Sequence, residues 1–109
     1  MNDQTIAQHY SRAGMFTIQQ IREFKGHTVG LYGVKTEPTL IYAIHESLGF
    51  GMLAGRKDGH MHLRITKYND QRKFKKRILK HMSGDKKTQA VEWFKKLGKY
   101  KISRQVVRL

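Results

Sequence analysis

Residues 6–16, Ile6-Ala7-Gln8-His9-Tyr10-Ser11-Arg12-Ala13-Gly14-Met15-Phe16, set a short helical run against a strand with only a glycine between them. That succession organises the chain, because the hairpin, helix, hairpin and helix after it read as one repeated unit built on this start. Glycine suits the position just past a helix, where it takes the left-handed conformation without a Cβ penalty. From Met15 to Ile21 the chain alternates, with Phe16 and Ile18 on one face and Thr17 and Gln19 on the other, as a half-buried strand does. Lys25-Gly26-His27 reads as the turn of a hairpin. Its second strand, Thr28 to Lys35, sets Val29 and Leu31 against Thr28, Gly30 and Tyr32.

The same unit then repeats. Pro38 follows Glu37 in the first turn of a second helix, where its missing N–H costs nothing; Leu40, Ile41, Ile44 and Leu48 mark the buried face and Gly49 the end. Met52–Lys57 and His60–Lys67 flank Asp58-Gly59, a strong hairpin signal, with Met61, Leu63 and Ile65 opposing His60, His62, Arg64 and Thr66. Asn69-Asp70 is expected to cap a helix running to about Met82, with Phe74, Ile78 and Met82 inward. Asp85 caps a last helix to about Leu97, burying Ala90, Phe94 and Leu97 with Trp93 alongside. These readings give a domain over 1–97 and a basic tail over 98–109, strand-like or ordered on a partner. The fold class is α+β: an antiparallel four-stranded sheet with helices on one face, in the order αββαββα(α).

Charge narrows the partner. Residues 1–55 balance four basic against four acidic side chains, so the other eighteen Lys and Arg, set against Asp58, Asp70, Asp85 and Glu92, carry the entire net charge of +14. A half-domain so basic repels itself unless a polyanion neutralises it, and nucleic acid is the default polyanion. An anionic membrane surface or a solvated face is the bland alternative. The chain has no cysteine, hence no disulfide or thiolate metal site. His60 and His62 share a strand face without further ligands at metal spacing, and Gly49-Phe50-Gly51 opens no helix that could cradle a phosphate. No cofactor and no metal is expected. Met1-Asn2-Asp3-Gln4 is polar, so no secretory peptide is expected, and no apolar run reaches membrane-spanning length.

Three stretches together resemble the LAGLIDADG homing-endonuclease family. The family's signature helix runs apolar, Ala, Gly, two apolar residues, an acid, Ala, a second acid and Gly, then a strand starting near a Phe; Ile6, Ala7, Gly14 and Phe16 match it. Leu48-Gly49-Phe50-Gly51, Arg56-Lys57-Asp58-Gly59 and Leu63-Arg64-Ile65 are similar to its helix end and hairpin. Lys86-Lys87, Gln89 and Trp93 are similar to its closing pattern. The resemblance implies a half-saddle whose sheet face, opposite the helices, lies on nucleic acid. By alternation that face holds Thr17, Gln19, Thr28, Tyr32, Arg56, His62 and Arg64, with Lys57, Lys67, Arg72, Lys73, Lys76, Lys86 and Lys87 as further candidate contacts.

The departures bear on activity. The family's second signature acid binds the divalent ions that activate water, and Ala13 occupies its place; the first acid matches Ser11. The family's Gly, where paired signature helices cross, is Gln8, and its second Ala is Arg12, so a homodimer through this helix is not expected. The expectation is therefore a catalytically inactive RNA-binding protein. Family members dwell largely in organellar genomes, so the setting implied is the mitochondrial matrix, with a plastid as the alternative. The role expected is a structural component of the mitochondrial ribosome, held on ribosomal RNA beside neighbouring ribosomal proteins. The alternatives are a maturase-like factor gripping an intron and an active homodimeric endonuclease cleaving DNA.

Overall fold

A computed structural model describes the backbone of residues 1–21, 24–32, 38–55 and 60–108, and the side chains of 1–18, 27–31, 39–55 and 60–98. In order the elements are α1 (Asp3–Ala13), β1 (Gly14–Ile21), β2 (Phe24–Tyr32), α2 (Pro38–Leu48), β3 (Met52–Gly55), β4 (Met61–Ile65), α3 (Tyr68–Arg77), a 3₁₀ turn (Leu79–His81) and α4 (Gly84–Arg108). The strands form one antiparallel sheet in the order β1-β2-β4-β3. Its core-facing side carries Phe16, Ile18, Val29, Leu31, Leu63 and Ile65, packed against Ile6 and Tyr10 of α1, Ile41 and Ile44 of α2, Phe74 of α3 and Trp93, Phe94 and Leu97 of α4. The expected α+β half-saddle is the fold.

Each helix has a local cause. Asn2 caps α1, its side-chain carbonyl accepting from Thr5 N–H at 2.8 Å, and Asp3 in the first turn and Arg12 in the last suit the helix dipole. α1 buries Ile6, Ala7 and Tyr10. Ser11 Oγ donates to Ala7 C=O at 2.7 Å and accepts from Ser83 N–H at 3.0 Å, tying α1 to the entry of α4. Gly49, at φ +79°, ends α2 in the left-handed region as expected. Aromatic edges close the centre: Tyr10 meets Phe74 at 4.7 Å and Trp93 meets Phe94 at 4.9 Å between ring centroids, both T-shaped.

Gly14 departs from the sequence reading. Its φ of −63° and ψ of 146° are extended, not left-handed. Glycine is needed there for closeness: a Cβ would stand 2.6 Å from the Tyr10 carbonyl oxygen and 3.1 Å from the Tyr10 ring. The helix ends and the strand begins within one residue only because nothing projects into that contact.

Five boundaries also differ. β1 and β2 pair continuously from Gly14↔Leu31 to Ile21↔Phe24, so Lys25-Gly26-His27 lies inside β2 rather than at the turn. The Asp58-Gly59 turn and the expected strand residues Arg56 and Lys57 lie outside the described residues, and β4 is shorter than expected, running only from Met61 to Ile65. α3 starts at Tyr68 behind Lys67, which makes no side-chain cap, so Asp70 serves the first turn as a charge instead of capping it. α3 stops at Arg77 and tightens into the 3₁₀ turn before Met82. Phe74, Ile78 and Met82 are all buried as expected. α4 does not end near Leu97 and give way to a strand-like tail; its helix continues to Arg108.

Two polar ties hold the helices in place. Gln71 is fully buried; its amide N–H₂ donates to the carbonyls of His27 at 3.0 Å and Ile65 at 2.9 Å. Its carbonyl oxygen therefore accepts from His27 Nδ1 at 2.8 Å, which fixes the imidazole tautomer. This one side chain joins α3 to β2 and β4. Arg77 joins three helices: it holds Asp3 of α1 at 2.9 and 3.4 Å and donates to the carbonyls of Ser47 (3.3 Å) and Leu48 (3.0 Å) at the end of α2. Those bonds keep the Asp3 carboxyl below its ordinary pKa, against the smaller pull of its partial burial.

Candidate functional site

The sheet face away from the helices is built in rows by the strand register. One row is Met15, Gly30, Arg64 and Met52 across β1, β2, β4 and β3. Beside it Thr17 pairs with Thr28 on one side, and Tyr32, His62 and Ala54 form the row on the other. Gln19 pairs with Gly26 further along. Successive rows lie about 7 Å apart and neighbouring strands about 4.8 Å. The four strands contain no Asp or Glu at all, so among the described strand residues Arg64 is the one full charge on this face, with the His62 ring beside it as a polar group. Arg64 is exposed, with Gly30 beside it lending no side chain.

Of the residues expected on this face, Thr17, Thr28, His62 and Arg64 share it, and Gln19 and Tyr32 hold register positions on it. Arg56 and Lys57 lie outside the described residues. Sequence reasoning passed over Met15 and Met52, which are 42% and 54% exposed at the two ends of the Arg64 row. Met15 shares the alternation of Thr17 and Gln19, and Met52 is set on the face by its pairing with Arg64. At the end of β4 the face runs into a pocket of about 330 Å³ whose lining includes Gly51, Met52, Arg64, Thr66, Lys67 and Asp70. Lys67 thus adjoins the face.

The helical cations fall elsewhere. Arg72, Lys73, Lys76 and Lys87 line a groove of about 900 Å³ between α3 and α4, together with Lys75, Lys80, Leu79, Val91, Phe94, Leu97 and Gly98. Lys86, in the first turn of α4, lines neither this groove nor the pocket. One sequence pattern, a run of cations on helical spacing, therefore feeds a surface distinct from the sheet face.

The end of α1 does not fit a divalent metal ion. Ala13, its last residue, is exposed and carries no oxygen; Ser11 Oγ is engaged with Ala7 and Ser83; Arg12 is exposed, its guanidinium 3.1 Å from His9 Nδ1. Among the described residues no three His, Asp or Glu side chains come together in a way that could hold a metal. Gln8 is exposed one turn from Arg12.

An antiparallel sheet bare on one face and roofed by helices on the other defines an α+β half-saddle. The chain has the fold of the LAGLIDADG homing endonucleases. It matches the homing endonuclease I-TnaI with a TM-score of 0.77 at 16% identity, over 87% of this chain and 70% of that one. It matches the LAGLIDADG meganuclease I-AabMI, solved on uncleaved DNA, with a TM-score of 0.82 at 13% identity over 97% of this chain. I-CpaMI, also on uncleaved DNA, gives 0.80 at 15% identity over 95% of this chain. The chain spans only 39% and 38% of the length of the last two. No protein-family model matches the chain, and no curated protein matches it.

Proposed function

We propose that this chain is a catalytically silent RNA-binding protein of the LAGLIDADG fold, a structural component of the mitochondrial ribosome that holds ribosomal RNA on its open sheet face. The observation that carries the reading is that face: Thr17, Thr28, His62 and Arg64 on strands free of any carboxylate, in a chain of net charge +14. Among the described residues, no strand position on it carries a group that repels phosphate. Arg64 supplies a forked donor for phosphate oxygens, and the paired threonine hydroxyls suit phosphate and sugar 2′-hydroxyls in the wide, shallow groove of A-form RNA. Such contacts position the protein and demand no turnover.

Silence follows from α1. Hydrolysis of a phosphodiester in this fold calls for carboxylate oxygens at the end of that helix, where this chain has Ser11, Arg12 and Ala13. Pairing two α1 helices would crowd Gln8 and Arg12 against their copies and desolvate two like charges, so the chain works singly among its ribosomal neighbours. The setting that goes with this role is the mitochondrial matrix, with no membrane partner.

A second reading, binding to duplex DNA, is favoured by one observation: I-AabMI and I-CpaMI are solved on uncleaved DNA. The separating experiment is to crosslink the protein in native mitochondrial extract and sequence the attached nucleic acid. Ribosomal RNA at a few discrete sites, co-sedimenting with one subunit, is the expected result. Intron RNA would turn the reading to a maturase-like factor, and duplex DNA to the second reading. Mg²⁺-dependent cleavage of any duplex by pure protein would overturn silence, whereas nicking gained by Ala13→Asp would confirm the register and the natural chain's inertness.

A further inference from the structure

The groove between α3 and α4 differs from the sheet face in its floor. Its rim holds six Lys and Arg side chains and no acid, which calls for an anion; its floor is Leu79, Val91, Phe94 and Leu97, which phosphate does not need. Stacked bases are poorly served. Phe94 is only 9% exposed and has Lys75 Nζ 5.7 Å from its ring centroid, while the Tyr68 ring is covered by the Arg72 guanidinium at 6.0 Å. The aromatic faces that a nucleotide would use already hold cations.

Gly98 gives independent testimony. It lies inside α4, where a glycine weakens a helix by roughly 0.8–1 kcal/mol relative to alanine. Yet a Cβ built on it would meet nothing within 4 Å, so packing within this chain does not demand glycine. Gly98 lines the groove, in the same helical stripe as Lys87, Val91 and Phe94. A glycine kept open at the end of an apolar floor is what close approach by another chain requires.

We propose that this groove is a docking site for an acidic amphipathic helix of a protein partner. Leucine-like side chains at helical spacing would enter the floor, and flanking carboxylates would meet the lysine rim, a helix-in-groove arrangement. A second copy of this chain is the wrong occupant, since two bodies of charge +14 repel. The proposal stands apart from RNA binding on the sheet face.

The test uses the full chain and a fluorescent synthetic helix with Leu at heptad-like spacing and Glu elsewhere, beside a scrambled peptide of identical composition, read by anisotropy. The amphipathic peptide should bind about tenfold or more tightly than the scrambled one, because only it can bury its apolar side chains together. Gly98→Leu, which fills the floor's open end, should weaken the amphipathic peptide without lowering thermal stability. Lys73→Glu with Lys76→Glu should weaken both peptides, and Gly98→Leu, which changes no charge, should leave RNA affinity as it was. Equal binding of the two peptides, or an unchanged affinity in Gly98→Leu, would overturn the proposal by reducing the groove to an undirected positive field. Loss of RNA binding in the Lys73/Lys76 variant with none in Arg64→Ala would also overturn it, showing that RNA occupies the groove.

Discussion

The open sheet face and the α3–α4 groove are both places where this chain can meet an anion, but they are built differently. On the face, one guanidinium stands among hydroxyls, a histidine and two methionines on flat strands. In the groove, six cations ring a floor of aliphatic and aromatic carbon. What lies under the charge decides the partner. Flat polar strands accept a backbone of phosphates and sugars, while an apolar trough asks for side chains. A count of Lys and Arg alone would rank the groove first and assign both surfaces to one polyanion.

Four measurements press on that difference, beginning with the largest effect. RNA affinity should fall roughly 10- to 100-fold between 50 and 200 mM salt if Arg64, Lys67 and the sequence candidates Arg56 and Lys57 neutralise about two to four phosphates, while peptide binding in the groove, partly hydrophobic, should fall less. Equal salt slopes would erase the distinction. Next, Arg64→Ala should raise the RNA Kd by about 5- to 150-fold, the equivalent of ~1–3 kcal/mol, and leave peptide affinity unchanged. A variant that lost the peptide and kept the RNA would invert the assignment.

The third change touches the side chain that links the two surfaces. Gln71 joins the groove wall to the underside of the face, and Gln71→Ala leaves the buried carbonyls of His27 and Ile65 without their partner. Urea denaturation should show a loss of about 1–3 kcal/mol, and an unchanged midpoint would mean that the tie is dispensable. The smallest effect belongs to Asp3, which contributes to neither surface. Its folded pKa is below the ordinary 3.8, so its pairing with Arg77 adds stability above that value and loses it as the pH falls through the folded pKa. The pair is about a third exposed and therefore screened, so Asp3→Asn should cost little at neutral pH. What the variant should change is the acid limb: its thermal midpoint should fall less steeply below pH 3.8, and identical limbs would refute the assignment.

The face was legible in the sequence because alternation is local. Thr17 and Thr28 point outward for the same reason that Phe16 and Val29 point inward, and no distant contact is needed to know it. What could not be read depended on approach between distant parts. Gly14 stands where the helix signal put it, but the cause is a carbonyl oxygen in its path, not a backbone angle. Gly26 looked like a turn residue, yet it pairs with Gln19 in mid-hairpin. Gln71 carries no sequence mark of burial, since its partners His27 and Ile65 are fixed only once α3 lies beneath the sheet. The tail misled because alternating basic and apolar residues suit a strand, while α4 carries its helix straight through them. Likewise Arg72, Lys73 and Lys76 read as the cations of one helix and Lys87 as part of the next, and the apolar floor they share appears only when α4 is laid alongside.

The central claim is that nucleic acid rests on the open sheet face. Its most direct test is to photocrosslink 4-thiouridine-substituted ribosomal RNA to the full chain and map the attached peptides by mass spectrometry. Crosslinks should fall on β1, β2 and β4, in peptides bearing Thr17, Thr28, His62 and Arg64. Crosslinks confined to the cations of α3 and α4, with the strands untouched, would contradict the account.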